Sequence, residues 1–170
     1  MTHTERLSET IRSKIDDWLK RYPADQKQSA VLEALRWTQE ENKNYLTTEL
    51  MDAVADYLGM PHIAVYEVAS FYSAFHLKPV GNKILHLCTT VSCKLRGADE
   101  IAAHCKKRLG IDFNETTEDG KWTLKEIECL AACTKAPAAM IGNQYHEELT
   151  PEKIDEIIHH NSEQTKNGHI

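Results

Sequence analysis

Leu7, Ile11, Ile15, Trp18 and Leu19 recur at spacings of three and four through ERLSETIRSKIDDWLKRY, residues 5–22. That spacing predicts one amphipathic helix with a single apolar stripe, closed near Pro23. SAVLEALRWTQEEN (29–42) repeats the pattern with Val31, Leu32, Leu35 and Trp37. TTELMDAVADYLGM (47–60) has Thr47 or Thr48 as N-cap, an acidic first turn, Leu50, Val54 and Leu58 on one face, and Gly59 near its end. Pro61 suits the first turn of a fourth helix, PHIAVYEVASFYSAF. Four short helices with short connections predict a helical bundle over residues 1–80.

The periodicity changes at KPVGNK, where Pro79 and Gly81 interrupt the chain. KILHLCTT (83–90) reads as a strand, RGADEIAAHCKKRLG (96–110) as a helix ended by Gly110, and KWTLKEIEC (121–129) as a half-buried strand after a turn at Asp119-Gly120. APAAMIGNQYHE (136–147) reads as a hairpin turning at Gly142-Asn143, and TPEKIDEIIHH (150–160) as a helix with Thr150 at N-cap and Pro151 at N1. Residues 81–170 thus form an α/β domain of order β-α-β-β-α, with NSEQTKNGHI as a frayed tail.

Composition narrows the function. With 170 residues, 41% hydrophobic and 27% charged, the chain buries a real core, and its net charge of −6 argues against non-specific nucleic-acid binding. No apolar run approaches the ~18 residues of a membrane span. The N-terminal segment lacks the apolar stretch of a secretory signal, so the expected location is the cytoplasm or, for a mature organellar chain, the mitochondrial matrix. In such a compartment clustered thiols bind metal or do redox work more often than they form disulfides.

The five cysteines are Cys88, Cys93, Cys105, Cys129 and Cys133. Cys105 lies mid-helix and reads as a core residue. The other four form a C-x4-C pair and a C-x3-C pair separated by 35 residues, each just after an expected strand. Loops at the carboxyl ends of neighbouring strands are a usual place for a site in an α/β sheet. Four-cysteine zinc sites favour C-x2-C knuckles, and thioredoxin-type redox pairs need C-x-x-C, which neither pair has. The broader iron–sulfur clusters suit longer loops. Spacing alone leans towards a cluster and leaves zinc open.

Nine histidines add little to this. His86 precedes Cys88 on the same strand face, His159 and His160 lie near a helix end, and His62, His76 and His146 read as ordinary. Tyr66, Phe71, Tyr72 and Phe75 are expected mainly in the core, with some available for a partner contact.

CTTVSCKLRGADEI (88–101), CLAACTKAP (129–137) and VASFYSAFHLKPVG (68–81) together resemble the thioredoxin-like [2Fe–2S] subunits of NADH:quinone oxidoreductase, respiratory complex I, over nearly the whole chain. The resemblance implies a thioredoxin-like [2Fe–2S] ferredoxin domain after the helical region. Its single [2Fe–2S] cluster would be held by Cys88 and Cys93 on one iron and by Cys129 and Cys133 on the other. It implies an electron-transfer subunit of a hetero-oligomeric, membrane-peripheral complex, beside a flavin-bearing, NADH-oxidising partner. The equivalent subunits of NAD-linked hydrogenases and formate dehydrogenases share these motifs. An interaction module stabilised by zinc on the same cysteines is the alternative of another class. No G-x-G-x-x-G follows any expected strand, so NADH binding is assigned to the partner. The family's second loop reads C-L-G-x-C, and Ala131 stands here in the glycine's place. If that position needs a positive φ, alanine is strained there. Backbone N–H groups of both loops and the hydroxyls of Thr89, Thr90, Ser92 and Thr134 are candidate donors to sulfur, and Lys94, Arg96 and Lys135 are candidate countercharges.

Overall fold

The computed structural model describes residues 6–164, with side chains to residue 161. The chain divides into two compact units, Met1–Pro79 and Val80–Ile170.

The first unit holds α1 (Glu9–Leu19), a 3-10 turn (Lys27–Ala30), α2 (Val31–Glu41), α3 (Thr48–Leu58) and α4 (His62–Phe71). The helices start where side chains take up orphan backbone donors. Ser8 Oγ accepts from Ile11 N–H at 3.2 Å, and Thr47 Oγ1 accepts from Leu50 N–H at 3.3 Å. Each such cap stabilises its helix by about 1 kcal/mol. Gly59 ends α3 at φ 66°, the left-handed conformation glycine takes at least cost. Leu7, Ile11, Ile15, Leu35, Val54, Leu58 and Val65 fill the core, with Trp18 and Trp37 meeting edge to face at its margin.

Two details depart from the pattern read along the chain. Ala30 belongs to the 3-10 turn, so α2 presents Ala34, Leu35, Thr38 and Gln39 inward and leaves Leu32 exposed. Buried Gln39 is used fully: its Nε2 donates to Ala74 C=O at 3.0 Å and its Oε1 accepts from His76 N–H at 2.7 Å. That clamp fixes the chain after α4, which ends at Phe71 rather than running on to Phe75. Phe71 and Tyr72 are therefore exposed rather than in the core, while Tyr66 and Phe75 pack against it.

His62, at the start of α4, lies between two carboxylates of α3, with Nδ1 3.1 Å from Asp52 and Nε2 2.8 Å from Asp56. Tyr66 also donates to Asp52. Both ring nitrogens facing carboxylate oxygen favours the imidazolium, and the hydrogen bond to Asp56 raises the His62 pKa above its ordinary 6.5. The stability gained is full below pH 6.5 and lost as pH rises through the raised value. His62→Gln is accordingly expected to cost stability at pH 6 and little at pH 9, read by urea unfolding at both.

The second unit contains β1 (Lys83–Cys88), α5 (Val91–Leu95), α6 (Ala98–Leu109), β2 (Trp122–Ile127), a 3-10 turn (Cys133–Lys135), β3 (Ala139–Ile141), β4 (Gln144–His146) and α7 (Pro151–Gln164). Both arms of the hairpin join the sheet, which has four strands in the order β2-β1-β3-β4. β1 runs parallel to β2 and antiparallel to β3. Leu85 and Leu87 of β1, Leu124 of β2, and Ala139 and Ile141 of β3 share one buried cluster with Ile101, Ala102 and Cys105 of α6 and Ile154 and Ile158 of α7. Burying a leucine or isoleucine here contributes about 1.5–3 kcal/mol. Thr150 caps α7, accepting from Lys153 N–H at 3.3 Å. That helix takes in residues 161–164 of the expected tail, and residues 165–170 lie outside the described ones. Among the described residues no helix is long and apolar enough to cross a membrane.

Candidate metal centre

The parallel pairing of β1 with β2 decides where the cysteines go. Cys88 is opposite Ile127 at the carboxyl end of the pair, so the loops that follow both strands leave from the same edge of the sheet. The first loop turns at once into α5, which carries Cys93; the second carries Cys129 and delivers Cys133 at the start of the 3-10 turn. All four are free thiols, with Cys88 and Cys93 buried and Cys129 and Cys133 exposed.

The loops meet. Cys88, Cys93 and Ala98 share a small apolar cluster with Leu130, Ala136 and Ala138 from the second loop. Cys88 N–H donates to Ala138 C=O at 3.0 Å, and Thr89 N–H to Ile127 C=O at 3.4 Å. Cys88 and Cys93 are packed in that cluster with Leu130 and Ala138 around them. The charge of a Cys133 thiolate is felt at Cys93. Cys129 is exposed, its sulfur accepting from Ala131 N–H at 3.3 Å.

These contacts set the acidities. Burial disfavours ionising Cys88, but hydrogen bonds from Thr90, Cys93 and Leu130 outweigh it and bring the thiol below its ordinary value. Burial, with the neighbouring Cys88 sulfur, pushes Cys93 up. A positive centre that takes the place of these protons would remove that burden. Cys105 is different: buried in the helix-covered core, its thiol is pushed up to about 12 by burial and then by Asp155, and it belongs to no sulfur group.

Ala131 adopts φ 57°, so the glycine position of the second loop does require the left-handed conformation. That conformation aims its N–H at Cys129, and alanine holds it at a cost of roughly 1–2 kcal/mol. Ala131→Gly is expected to stabilise the apoprotein by about 1 kcal/mol, measured by urea unfolding, because the strain relieved exceeds the entropy glycine adds to the unfolded chain.

The remaining residues singled out in the sequence fall around this core. Lys135 is paired with Glu147 at 2.9 Å, and Lys94 lies 3.9 Å from Asp99, so each already has an acidic neighbour. His86 sits between Lys125 and Met140 in the sheet, and burial, then Lys125, lowers its pKa to about 4, which keeps it neutral. Among the described residues no three His, Cys, Asp or Glu side chains are placed to hold a single metal ion. Cys88 and Cys93 lie together in one apolar cluster, and Cys129 and Cys133 sit on the adjoining loop. Four cysteines on two adjoining loops suit a two-iron cluster, whose irons each take two thiolates. The short α5 is not announced by the sequence pattern, and it alone explains how C-x4-C turns Cys93 back towards Cys88.

The chain has relatives among known proteins. The chain is 47% identical over 146 residues to the E subunit of the NADH-quinone oxidoreductase of Rickettsia bellii, covering 86% of this chain and 87% of that protein. It is 42% identical to the mitochondrial NADH dehydrogenase [ubiquinone] flavoprotein 2 of Dictyostelium discoideum, covering 81% of this chain and 56% of that one. Among solved structures, an NAD+-reducing [NiFe]-hydrogenase in the air-oxidised state superposes with a TM-score of 0.68 at 21% identity, over 79% of this chain and 23% of that chain, a likeness of fold. The model of the thioredoxin-like [2Fe-2S] ferredoxin family matches residues 15–162, and the chain belongs to that family.

Proposed function

We propose that Cys88, Cys93, Cys129 and Cys133 hold one [2Fe–2S] cluster, and that the chain is an electron-transfer subunit of NADH:quinone oxidoreductase beside the flavin-bearing subunit that oxidises NADH. The observation that carries the reading is the meeting of the two cysteine loops at the carboxyl end of the parallel β1–β2 pair, where Cys88, Cys93 and Leu130 share one buried cluster. The Rickettsia relatives, named as E subunits of that complex, support the setting.

The cluster, when bound, takes up and passes on one electron. The protein's part is to hold and shield it. Cys88 and Cys93 anchor the buried side, with Leu130 and Ala138 excluding water. The N–H of Ala131 presents a fixed dipole to the Cys129 sulfur, which offsets the added negative charge without any proton moving. The exposed Cys129 and Cys133 face outward, where the flavin-bearing partner would approach. In this reading residues 1–80 are a helical bundle, residues 81–170 carry the cluster, and the assembly lies at the inner face of the membrane.

Anaerobically purified protein is expected to contain about two irons and two acid-labile sulfides per chain, as a [2Fe–2S] cluster requires. Its visible absorption should bleach with dithionite, and with NADH only after the flavin-bearing subunit is added. Stoichiometric zinc without sulfide would overturn the cluster. Direct reduction by NADH of the isolated chain would overturn the division of labour.

A further inference from the structure

Thr90 stands at the N-cap of α5 with the extended backbone of a capping residue, φ −74° and ψ 168°, yet its side chain makes no cap hydrogen bond. A threonine in this position ordinarily accepts from the helix's first N–H groups and gains about 1 kcal/mol. Here the hydroxyl is turned to Cys88 instead, with Oγ1 3.2 Å from Sγ. The neighbouring Thr89 does otherwise: its hydroxyl donates to Glu126 Oε1 at 2.5 Å. In the free thiol, Cys88 Sγ has its own acceptor, the Glu128 carbonyl at 3.7 Å, so in its contact with Thr90 the proton is the one on the Thr90 oxygen. A thiolate can only accept, and then Thr90 must be the donor.

We propose that Thr90 is a positioning residue for the one-electron centre: its O–H donates to the Cys88 sulfur and raises the reduction potential by stabilising the more negative, reduced state. The inference rests on Cys88 being a cluster ligand. A hydrogen bond to a cluster sulfur strengthens as negative charge accumulates there, so it favours reduction. The Thr90 hydroxyl is held by local geometry alone. Its residue starts the helix, and Lys94 N–H donates to Thr90 C=O at 2.9 Å.

The test is a mediated redox titration of the cluster, followed by electron paramagnetic resonance, in the full chain bearing Thr90→Val, Thr90→Ser or Thr89→Val. Removing the hydroxyl is expected to lower the reduced-to-oxidised ratio at fixed potential about threefold to tenfold, where tenfold is 59 mV for one electron. Thr90→Ser, which keeps the donor, and Thr89→Val, whose hydroxyl lies on Glu126, should stay near the parent value. A structural role alone would change unfolding in urea and leave the potential in place. An unchanged potential in Thr90→Val, or an equal shift in Thr89→Val, overturns the proposal while the cluster assignment stands. If Thr90→Val fails to assemble a cluster that Thr90→Ser assembles, the hydroxyl is needed at the sulfur; failure of both overturns it. Absence of iron and sulfide from the parent protein would instead refute the ligand set on which it depends.

Discussion

Replacing Cys88 or Cys93 by serine is expected to abolish the cluster, with iron and sulfide falling from about two per chain to near zero. Both sulfurs are buried and share the apolar cluster with Leu130 and Ala138, so a serine hydroxyl there is a poor iron ligand with no water to replace it. Cys129→Ser and Cys133→Ser are expected to leave a labile cluster with altered spectra, since these positions are exposed and oxygen or water can reach the iron. Cys105→Ala should retain full iron, because its sulfur lies among Ile101, Leu124 and Ile154. Iron and sulfide analysis across the five variants decides each assignment. Full iron in Cys88→Ser would remove that residue from the ligand set.

The second large effect is structural. Gly81 precedes β1 where the chain lies against the start of β2, and a methyl built on it would stand 2.7 Å from the Trp122 carbonyl carbon and 2.9 Å from its nitrogen. Those are backbone atoms held in the sheet, with Lys83 N–H donating to Lys121 C=O at 2.9 Å and Gly81 N–H to Thr123 Oγ1 at 2.6 Å. Neither side can yield without opening the β1–β2 register that brings the cysteine loops together. Gly81→Ala is therefore expected to destabilise the protein by about 3 kcal/mol, the upper end for overpacking, measured by urea unfolding. Weaker cluster retention should follow, because the strand that presents Cys88 shifts. A loss under about 0.5 kcal/mol, the size of an ordinary surface substitution, would show that the strand entry is soft.

Most elements were legible because their signals are local. The stripe of Leu7, Ile11 and Ile15, the caps at Thr47 and Thr150 and the turn at Gly142 each act within a few residues, and the structure shows them there. α5 was not legible, because five residues, VSCKL, are too few for a period to show. The exposure of Phe71 and Tyr72 was also hidden. It follows from Gln39 clamping residues 74–76, a contact across 35 and 37 positions that no local pattern announces. For the site, the four cysteines were singled out by spacing and resemblance, whereas the choice between Thr89 and Thr90 needed coordinates: adjacent threonines on an extended segment face opposite ways. Ala131 stood out in sequence only as a departure from a motif, and its φ of 57° gives the departure a physical cost.

The parallel pairing of β1 and β2 has a further consequence, for chain topology. Parallel neighbours need a long crossover, so the two cysteine loops are far apart in sequence although they touch in space. A centre bonded to both would close a covalent ring of about 45 residues, and by the ring-closure entropy of cross-links this withholds roughly 4 kcal/mol of freedom from the unfolded chain. Iron would then act as a removable rivet. Oxidative loss of the cluster would lower the resistance of the second unit to proteases, so the quantity of intact protein in a cell would follow its iron supply.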